Sequence, residues 1–476
     1  MGHLHIIGIC GTAMAGLAYL AKDMGWQVTG SDMGIYPPMS TFLEASGIVA
    51  FSGFKAENLC PSPDLVLVGN AISRGNPELE ALLDSTISYQ SGSQWLFENV
   101  LQGRHPIVVT GTHGKTTTSS LVAWLWESAG LSPGFFIGGI PANFGQGVRS
   151  TRGPWVVVEG DEYDTAFFDK RPKFLHYRPR TLILHNLEFD HADIYPDLEA
   201  ICTQFRLLLR SVPASGLIIA NGNDLEISRV LRNAYTPVVK YGMDGDFQFT
   251  AKLLQSDGQH WSFCHQGEEL FQVQWSLLGK HNVMNGLAAA ATAISHGISA
   301  SAIKRGLESF QGVARRLQKR IDLHGISVYD DFAHHPTAIA VTLAAMRATT
   351  AGHDEDHPGR LWAVLEPRSN TMRRRVHQGR LAPALAHADF VILARPSSRG
   401  LSEEDLLDVD EIAARINSSG TQSAVVVDHV EGAIQYLRRQ LIWGDRVVVM
   451  SNGGFDDIFD RLKGAILQMR GQGENL

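Results

Sequence analysis

Short runs of Val, Ile and Leu alternate along this chain with longer stretches whose apolar residues recur at helical spacing. Uninterrupted apolar runs suit parallel strands whose two faces are covered by crossover helices, so the pattern predicts an α/β fold. Runs at residues 5–9, 27–29 and 65–68 predict strands of a first unit, which ends at the polar stretch Leu101-Gln102-Gly103-Arg104-His105-Pro106. A second unit opens with a strand at 107–109 and continues with strands at 155–158 and 181–184. Between residues 217 and 278 the pattern changes to consecutive short strands, among them 247–253 and 271–275, parted by Gly and Asp turns. This predicts a β extension. An alanine-rich helix is expected at 282–295, and the unit closes near Gln311-Gly312-Val313. A third unit shows strand patterns at 326–329, 361–365, 390–393, 424–427 and 446–450. The expected domains are therefore 1–104, 105–313 and 314–476.

Composition narrows the partners. The chain has 476 residues, 44% hydrophobic and 19% charged, and its 41 Lys and Arg against 49 Asp and Glu leave a formal charge of -8. No global positive field exists to hold nucleic acid or an anionic membrane, so an anion must be caught by a local device. The sequence shows neither a basic leader followed by an apolar stretch nor an apolar run of about 18 residues, and a soluble cytoplasmic protein is expected. Cys10, Cys60, Cys202 and Cys264 form no CxxC pair, which fits a reducing compartment, buried thiols and no structural zinc.

The local device is Val108-Val109-Thr110-Gly111-Thr112-His113-Gly114-Lys115-Thr116-Thr117-Thr118, where a strand pattern passes through a Gly-rich turn into a helix at 119–127. Small residues let successive backbone N–H groups turn toward phosphate oxygens, and the helix N-terminus adds positive potential. Lys115 supplies a point charge, and the Thr116 hydroxyl suits Mg²⁺. The full GxxxxGK[ST] spacing is not met, because Val109 stands five before Gly114; the reading rests on GxxGKT in its strand–turn–helix context. Mg²⁺ takes hard oxygen ligands, and the apolar strand at 155–158 stops at Glu159-Gly160-Asp161-Glu162, with Glu159 the first choice. The next strand runs into Asn186-Leu187-Glu188-Phe189-Asp190-His191-Ala192-Asp193, where His191 is a weaker candidate because imidazole is softer than Mg²⁺ prefers.

Near the N-terminus a Gly-rich βα turn at 8–16 is followed by Asp32 after the second strand, where a ribose-binding acid often sits. Cys10 and Ala13 replace the second and third glycines of GxGxxG, which favours a nucleotide other than NAD. In the third unit Arg368, Arg373, Arg374, Arg375 and Arg380 crowd the segment after 361–365. Guanidinium forks suit carboxylates, and Arg368 is the best placed, at a strand's carboxyl end.

In order, Thr110-Gly111-Thr112-His113-Gly114-Lys115-Thr116, the 159–164 and 186–191 segments, Gly279-Lys280-His281-Asn282-Val283-Met284-Asn285, Ala314-Arg315-Arg316-Leu317 and Tyr329-Asp330-Asp331-Phe332-Ala333-His334-His335-Pro336 resemble the motif series of the Mur ligases, ATP-dependent amide-forming enzymes of bacterial cell-wall synthesis. The resemblance implies a Rossmann-like UDP-sugar-binding domain, a P-loop ATPase-type central domain with a β extension, and a Rossmann-like C-terminal domain that receives a peptide amine. It assigns Gly11, Thr12, Ser31, Asp32 and Asn70 to the UDP-sugar. Gly111, Thr112, His113, Gly114, Lys115, Thr116 and Thr117, with His281, Asn282, Asn285, Arg316 and Asp331, fall to ATP. Thr116, Glu159 and His191 fall to Mg²⁺; Arg368, Ser369 and Arg373 fall to the peptide; and Lys115, Glu159, His191 and His334 are the implied catalytic set.

The implied reaction joins the lactyl carboxylate of UDP-N-acetylmuramate to the amine of the murein tripeptide L-alanyl-γ-D-glutamyl-meso-diaminopimelate during peptidoglycan recycling. Segments 36–41, 69–77, 365–372 and 450–455 are similar to that branch, free L-alanine being the alternative acceptor. No nucleic acid, membrane or obligate protein partner is implied. Several branches use a carbamylated lysine to organise metals. Fifteen residues after His191 this chain has Arg206, and no lysine occurs between Asp193 and Gly216, so metal organisation without a carbamate is expected.

Overall fold

The computed structural model describes residues 2–36, 39–349, 359–398 and 400–469. The apolar runs form the inner strands of three larger sheets. In the N-terminal sheet His3–Ile7 lies between Gln27–Asp32 and Leu65–Val68, with Val49–Ser52 and Tyr89–Ser91 at the edges, all parallel. The first strand starts and ends two residues before the expected 5–9. Gly8 adopts φ +85°, which glycine reaches without a Cβ clash, and this turns the chain before Ile9, whose side chain stays in the core.

The central sheet has ten strands. His105–Thr110 lies between Thr181–Leu184 and Trp155–Glu159; Leu217–Asn221, Val238–Gly242 and Phe249–Leu253 continue the parallel run. His260–His265 and Glu268–Gln274 then add antiparallel strands, so the β extension belongs to the same sheet. The strand expected from 247 begins at Phe249, because the Phe247 ring instead packs over Gly222 and Gly242. Helix Lys115–Ser128 starts four residues earlier than its apolar pattern suggests, straight from Gly114 at φ +79°. It packs on the alanine-rich helix Lys280–Ser295, whose fully buried Ala288–Ala291 run lets the two helices approach closely.

In the third sheet Ile326–Asp331 pairs antiparallel with Gln318–Leu323 and parallel with Arg446–Met450. Leu361–Leu365, Phe390–Ala394 and Ser423–Val427 complete it. Thr110 lies opposite Leu184 and Val109 opposite Glu159, so the loops carrying the candidate chemistry leave one edge of the central sheet together. Loops at the carboxyl ends of parallel strands are where an α/β sheet opens a crevice. No helix among the described residues is long and apolar enough to cross a membrane. All four cysteines are free; Cys202 and Cys264 are buried, whereas Cys10 is half-buried and Cys60 is exposed, contrary to the expectation for those two.

Candidate active site

The loop expected to bind phosphate is built on two glycines, Gly111 at φ +137° and Gly114 at φ +79°. A Cβ at Gly111 would lie 2.9 Å from the backbone N of Asn186, so no larger residue fits there. Asn186 clips the loop to the neighbouring strand: its carbonyl accepts from Thr112 N (3.0 Å), its Oδ1 accepts from His113 N (2.7 Å), and its Nδ2 donates to the His113 carbonyl (3.0 Å). The amides of Thr112 and His113 are thereby committed. The first intrahelical bond runs from Thr118 N to the Gly114 carbonyl, which leaves the amides of residues 114–117 as the helix-start donors for an anion.

Lys115 Nζ donates to the carbonyls of Gly111 (2.9 Å) and Thr112 (3.3 Å) and to both oxygens of Glu162 (3.1 and 2.9 Å). Burial disfavours its charge, but Glu162 and Asp161 more than offset this and raise its pKa. Burial likewise works against the Glu162 carboxylate, yet Lys115 and His191 hold it down at about 2. His191 Nε2 lies 3.0 Å from Glu162 Oε1, and this partner raises the imidazole's pKa against the opposing effect of burial. Thr116 Oγ1 donates to Glu159 Oε1 (2.7 Å), and Glu159 Oε2 accepts from Gly138 N (2.7 Å). Burial, then Asp161, pushes the Glu159 pKa up. The expected metal set therefore divides. Thr116 and Glu159 present the adjoining hard oxygens that Mg²⁺ favours, whereas His191 is engaged by Glu162.

From the third sheet, Arg316 reaches in to donate to Thr116 Oγ1 (3.2 Å). The Asp331 oxygens accept from Leu317 N (2.7 Å) and Ala333 N (2.8 Å), shaping the turns that carry Arg316 and His334. Burial raises its pKa. Asn282 and Asn285 are linked by a 3.1 Å bond, and Asn285 Oδ1 accepts from Thr118 Oγ1 at 3.1 Å, which joins the two helices behind the loop. Next to them His281 is pulled down to about 4 by burial and keeps an unpartnered Nδ1.

A polar cavity of about 270 Å³ opens between the central and third sheets and brings together His191, His334, Arg368 and Ser369 with Tyr163, Asp190, Asp193, Asn370, Thr371 and Asn452. Two contacts cross it, Asn370 Nδ2 to Asp193 Oδ2 (3.0 Å) and Ala192 N to Thr371 Oγ1 (3.3 Å). Burial lowers His334 to about 4. Arg373 does not line this cavity; it turns to Asn370 Oδ1 (3.1 Å) and the Ser397 carbonyl (3.2 Å). Gly11, Thr12 and Asn70 line a second cleft, of about 250 Å³, with Gly138, Glu159, Asp161 and Lys173. Ser31 and Asp32 are absent from that lining, since Asp32 holds the turn through Cys10 N (2.9 Å) and Gly34 N (3.0 Å). Arg206 sits on the outer face of its helix, bonded to Glu199 at 2.6 Å.

Sequence reasoning gave no role to Glu162, Asn186 or Asp190, although all three lie within residues 159–164 and 186–191. The available signal was a further carboxylate three residues beyond Glu159 and an Asn directly after a strand that must pair with the phosphate-loop strand.

Three family models match in succession: "Mur ligase family, catalytic domain" at residues 3–103, "Mur ligase middle domain" at 109–293 and "Mur ligase, glutamate ligase domain" at 315–453. The Escherichia coli (strain K12) UDP-N-acetylmuramate–L-alanyl-γ-D-glutamyl-meso-2,6-diaminoheptandioate ligase is 46% identical over 464 residues, covering 96% of this chain and 97% of that protein. A UDP-N-acetylmuramate–L-alanine ligase of Oleidesulfovibrio alaskensis is 34% identical, covering 82% of each chain. The crystal structure of a murein peptide ligase from Psychrobacter arcticus 273-4 superimposes with a TM-score of 0.74 at 40% identity, over 98% of this chain and 99% of the other.

Proposed function

The chain belongs to the Mur ligase family, and on that footing we propose that it joins UDP-N-acetylmuramate to L-alanyl-γ-D-glutamyl-meso-diaminopimelate at the expense of ATP. The observation that carries this reading is the 46% identity, over nearly the whole length of both chains, to a ligase named for that acceptor; the relative named for L-alanine stands at 34%. The setting is peptidoglycan recycling in the cytoplasm.

A carboxylate is a poor electrophile, so the lactyl carboxylate oxygen first attacks the γ-phosphorus, the bond to the ADP oxygen breaks, and an acyl phosphate forms. The peptide amine then attacks the acyl carbon, phosphate leaves, and the amine nitrogen loses its proton. The first step brings two anions together and the second releases an anionic phosphate, so positioning and charge neutralisation dominate. Amides 114–117 and Lys115 grip the terminal phosphates, and Arg316 approaches the same loop from the third sheet. Thr116 and Glu159 would hold Mg²⁺, which supplies further neutralisation of triphosphate charge. The cleft of Gly11, Thr12 and Asn70 is also lined by Glu159, which would set the UDP-sugar's carboxylate beside the phosphate loop. Arg368 and Ser369 receive a peptide carboxylate, while Asp190 and Asp193, on the same cavity, suit the incoming ammonium before it is deprotonated.

The test is phosphate release from ATP with UDP-N-acetylmuramate and each acceptor in turn. Turnover with the tripeptide at a kcat/KM well above that with L-alanine is expected. The reverse order assigns the chain to the L-alanine reaction, and no release with either overturns the reading.

A further inference from the structure

The phosphate-loop histidine has a second set of neighbours, separate from the Thr116–Glu159 pair. His113 faces Glu188, on the loop after Thr181–Leu184, and His335, which caps helix Pro336–Ala348 of the third sheet. Glu188 Oε2 lies 3.8 Å from His113 Nε2 and 3.7 Å from His335 Nδ1, and one donor atom from each of the three residues falls within 4.8 Å of the others. Around tetrahedral zinc, bonds of about 2.0–2.1 Å put ligand atoms roughly 3.3 Å apart. Side-chain shifts of about half an ångström would thus close the two Glu188 edges of the triad on an ion.

The surroundings prepare the ligands. His335 Nε2 lies 3.2 Å from the Phe189 carbonyl, which only accepts, so the proton sits on Nε2 and the Nδ1 lone pair is turned toward Glu188. A histidine whose other nitrogen donates to a backbone carbonyl is the usual outer-shell arrangement of a metal ligand. Three groups already touch the same atoms: Thr337 Oγ1 donates to Glu188 Oε2 (2.6 Å), Thr337 N to His335 Nδ1 (3.3 Å), and Arg380 Nη2 is 3.5 Å from Glu188 Oε2. The amide contact is long and weak, and the Glu188 carboxylate has a second oxygen. An independent feature adds to the triad: His377 is 1% exposed, packs edge-on to His335 with centroids 4.8 Å apart, and has no partner on either ring nitrogen. A buried imidazole with two idle nitrogens beside a His–Glu–His triad is costly unless it serves something.

We propose that His113, Glu188 and His335 bind a divalent ion of the zinc class, tying the phosphate loop of the central sheet to the first turn of a helix on the third. Two imidazoles and one carboxylate select Zn²⁺ or Co²⁺ over Mg²⁺. The inference does not depend on the acceptor or on the ligase reading. The experiment uses tag-free, chelator-stripped full-length protein. Bound Zn²⁺ is counted by elemental analysis after equilibrium dialysis, and Co²⁺ is titrated with its visible absorption as readout. One ion per chain is expected, not displaced by excess Mg²⁺, with affinity at least about tenfold weaker in Glu188→Gln and in His335→Asn, each with an unchanged circular dichroism spectrum. Asn keeps a capping oxygen at 335, and if that variant still fails to fold, Glu188→Gln decides alone. Failure of the wild-type chain to retain a stoichiometric ion, or full affinity in the folded variants, overturns the proposal.

Discussion

Glu162 is the sharpest place to perturb this molecule, because one carboxylate serves two cations. Glu162→Gln keeps the shape and removes the charge that Lys115 and His191 share. Burial alone would raise this carboxyl, yet it sits at about 2 instead of its ordinary 4.5, which corresponds to about 3 kcal/mol of stabilisation of the anion. Breaking a buried ion pair from one side costs about 3–5 kcal/mol, in agreement. For a folding unit of about 150–250 residues each kcal/mol moves the midpoint by roughly 2–4 °C, so the calorimetric transition of the central sheet should fall by about 6–12 °C at pH 6. The sign with pH is fixed by the two partners. Glu162 is depressed, so its contribution is full above 4.5 and is lost as pH falls toward about 2. His191 is raised, so its contribution is full below 6.5 and is lost as pH rises through its elevated value. The gap between wild type and variant should be widest between these limits. A shift under about 2 °C at pH 6, or a gap that grows on the alkaline side, refutes the assignment.

Lys115→Ala should lower the rate of phosphate release by at least about 100-fold, since losing about 2.7 kcal/mol of transition-state stabilisation has that effect; near-normal kcat would remove Lys115 from the phosphate site. Arg368→Ala should raise the tripeptide KM by about tenfold or more with little change in the KM for ATP, and an unaltered tripeptide KM would show that its carboxylates bind elsewhere. Chelation of Mg²⁺ should abolish turnover and readdition restore it, while Thr116→Val should raise the Mg²⁺ concentration needed for half-maximal rate, which steady-state titration reads directly. Mass analysis of peptides spanning 194–215 should find no lysine carbamate, because the one candidate position is Arg206, paired with Glu199 on the outer helix face.

The α/β class was legible because strands buried on both faces must be continuously apolar, and those runs stand out at 65–68, 107–109, 361–365 and 446–450. The strand–turn–helix of the loop expected to grip phosphate was legible because its turn requires glycine where a Cβ would collide, as at Gly111 and Gly114. Boundaries were less so: the apolar pattern of this helix begins after its polar first turn, so Lys115–Thr118 read as loop although helical geometry is what leaves the amides of Lys115–Thr117 without intrahelical partners.

By itself the sequence determined which chemical groups are available and on which strand ends they are carried, since local periodicity and backbone sterics act over a few residues. Pairing across distance belonged to the tertiary structure alone. Strand order sets Asn186 against the phosphate loop, Glu162 between Lys115 and His191, and Arg316 against Thr116, contacts spanning 73, 47, 29 and 200 residues. It also turned Arg373 and Asp331 to partners of their own and left Arg368 on the cavity. The physical reason is that a buried charge or amide takes whichever partner the packed sheets bring within about 3 Å, and linear spacing carries no record of that choice.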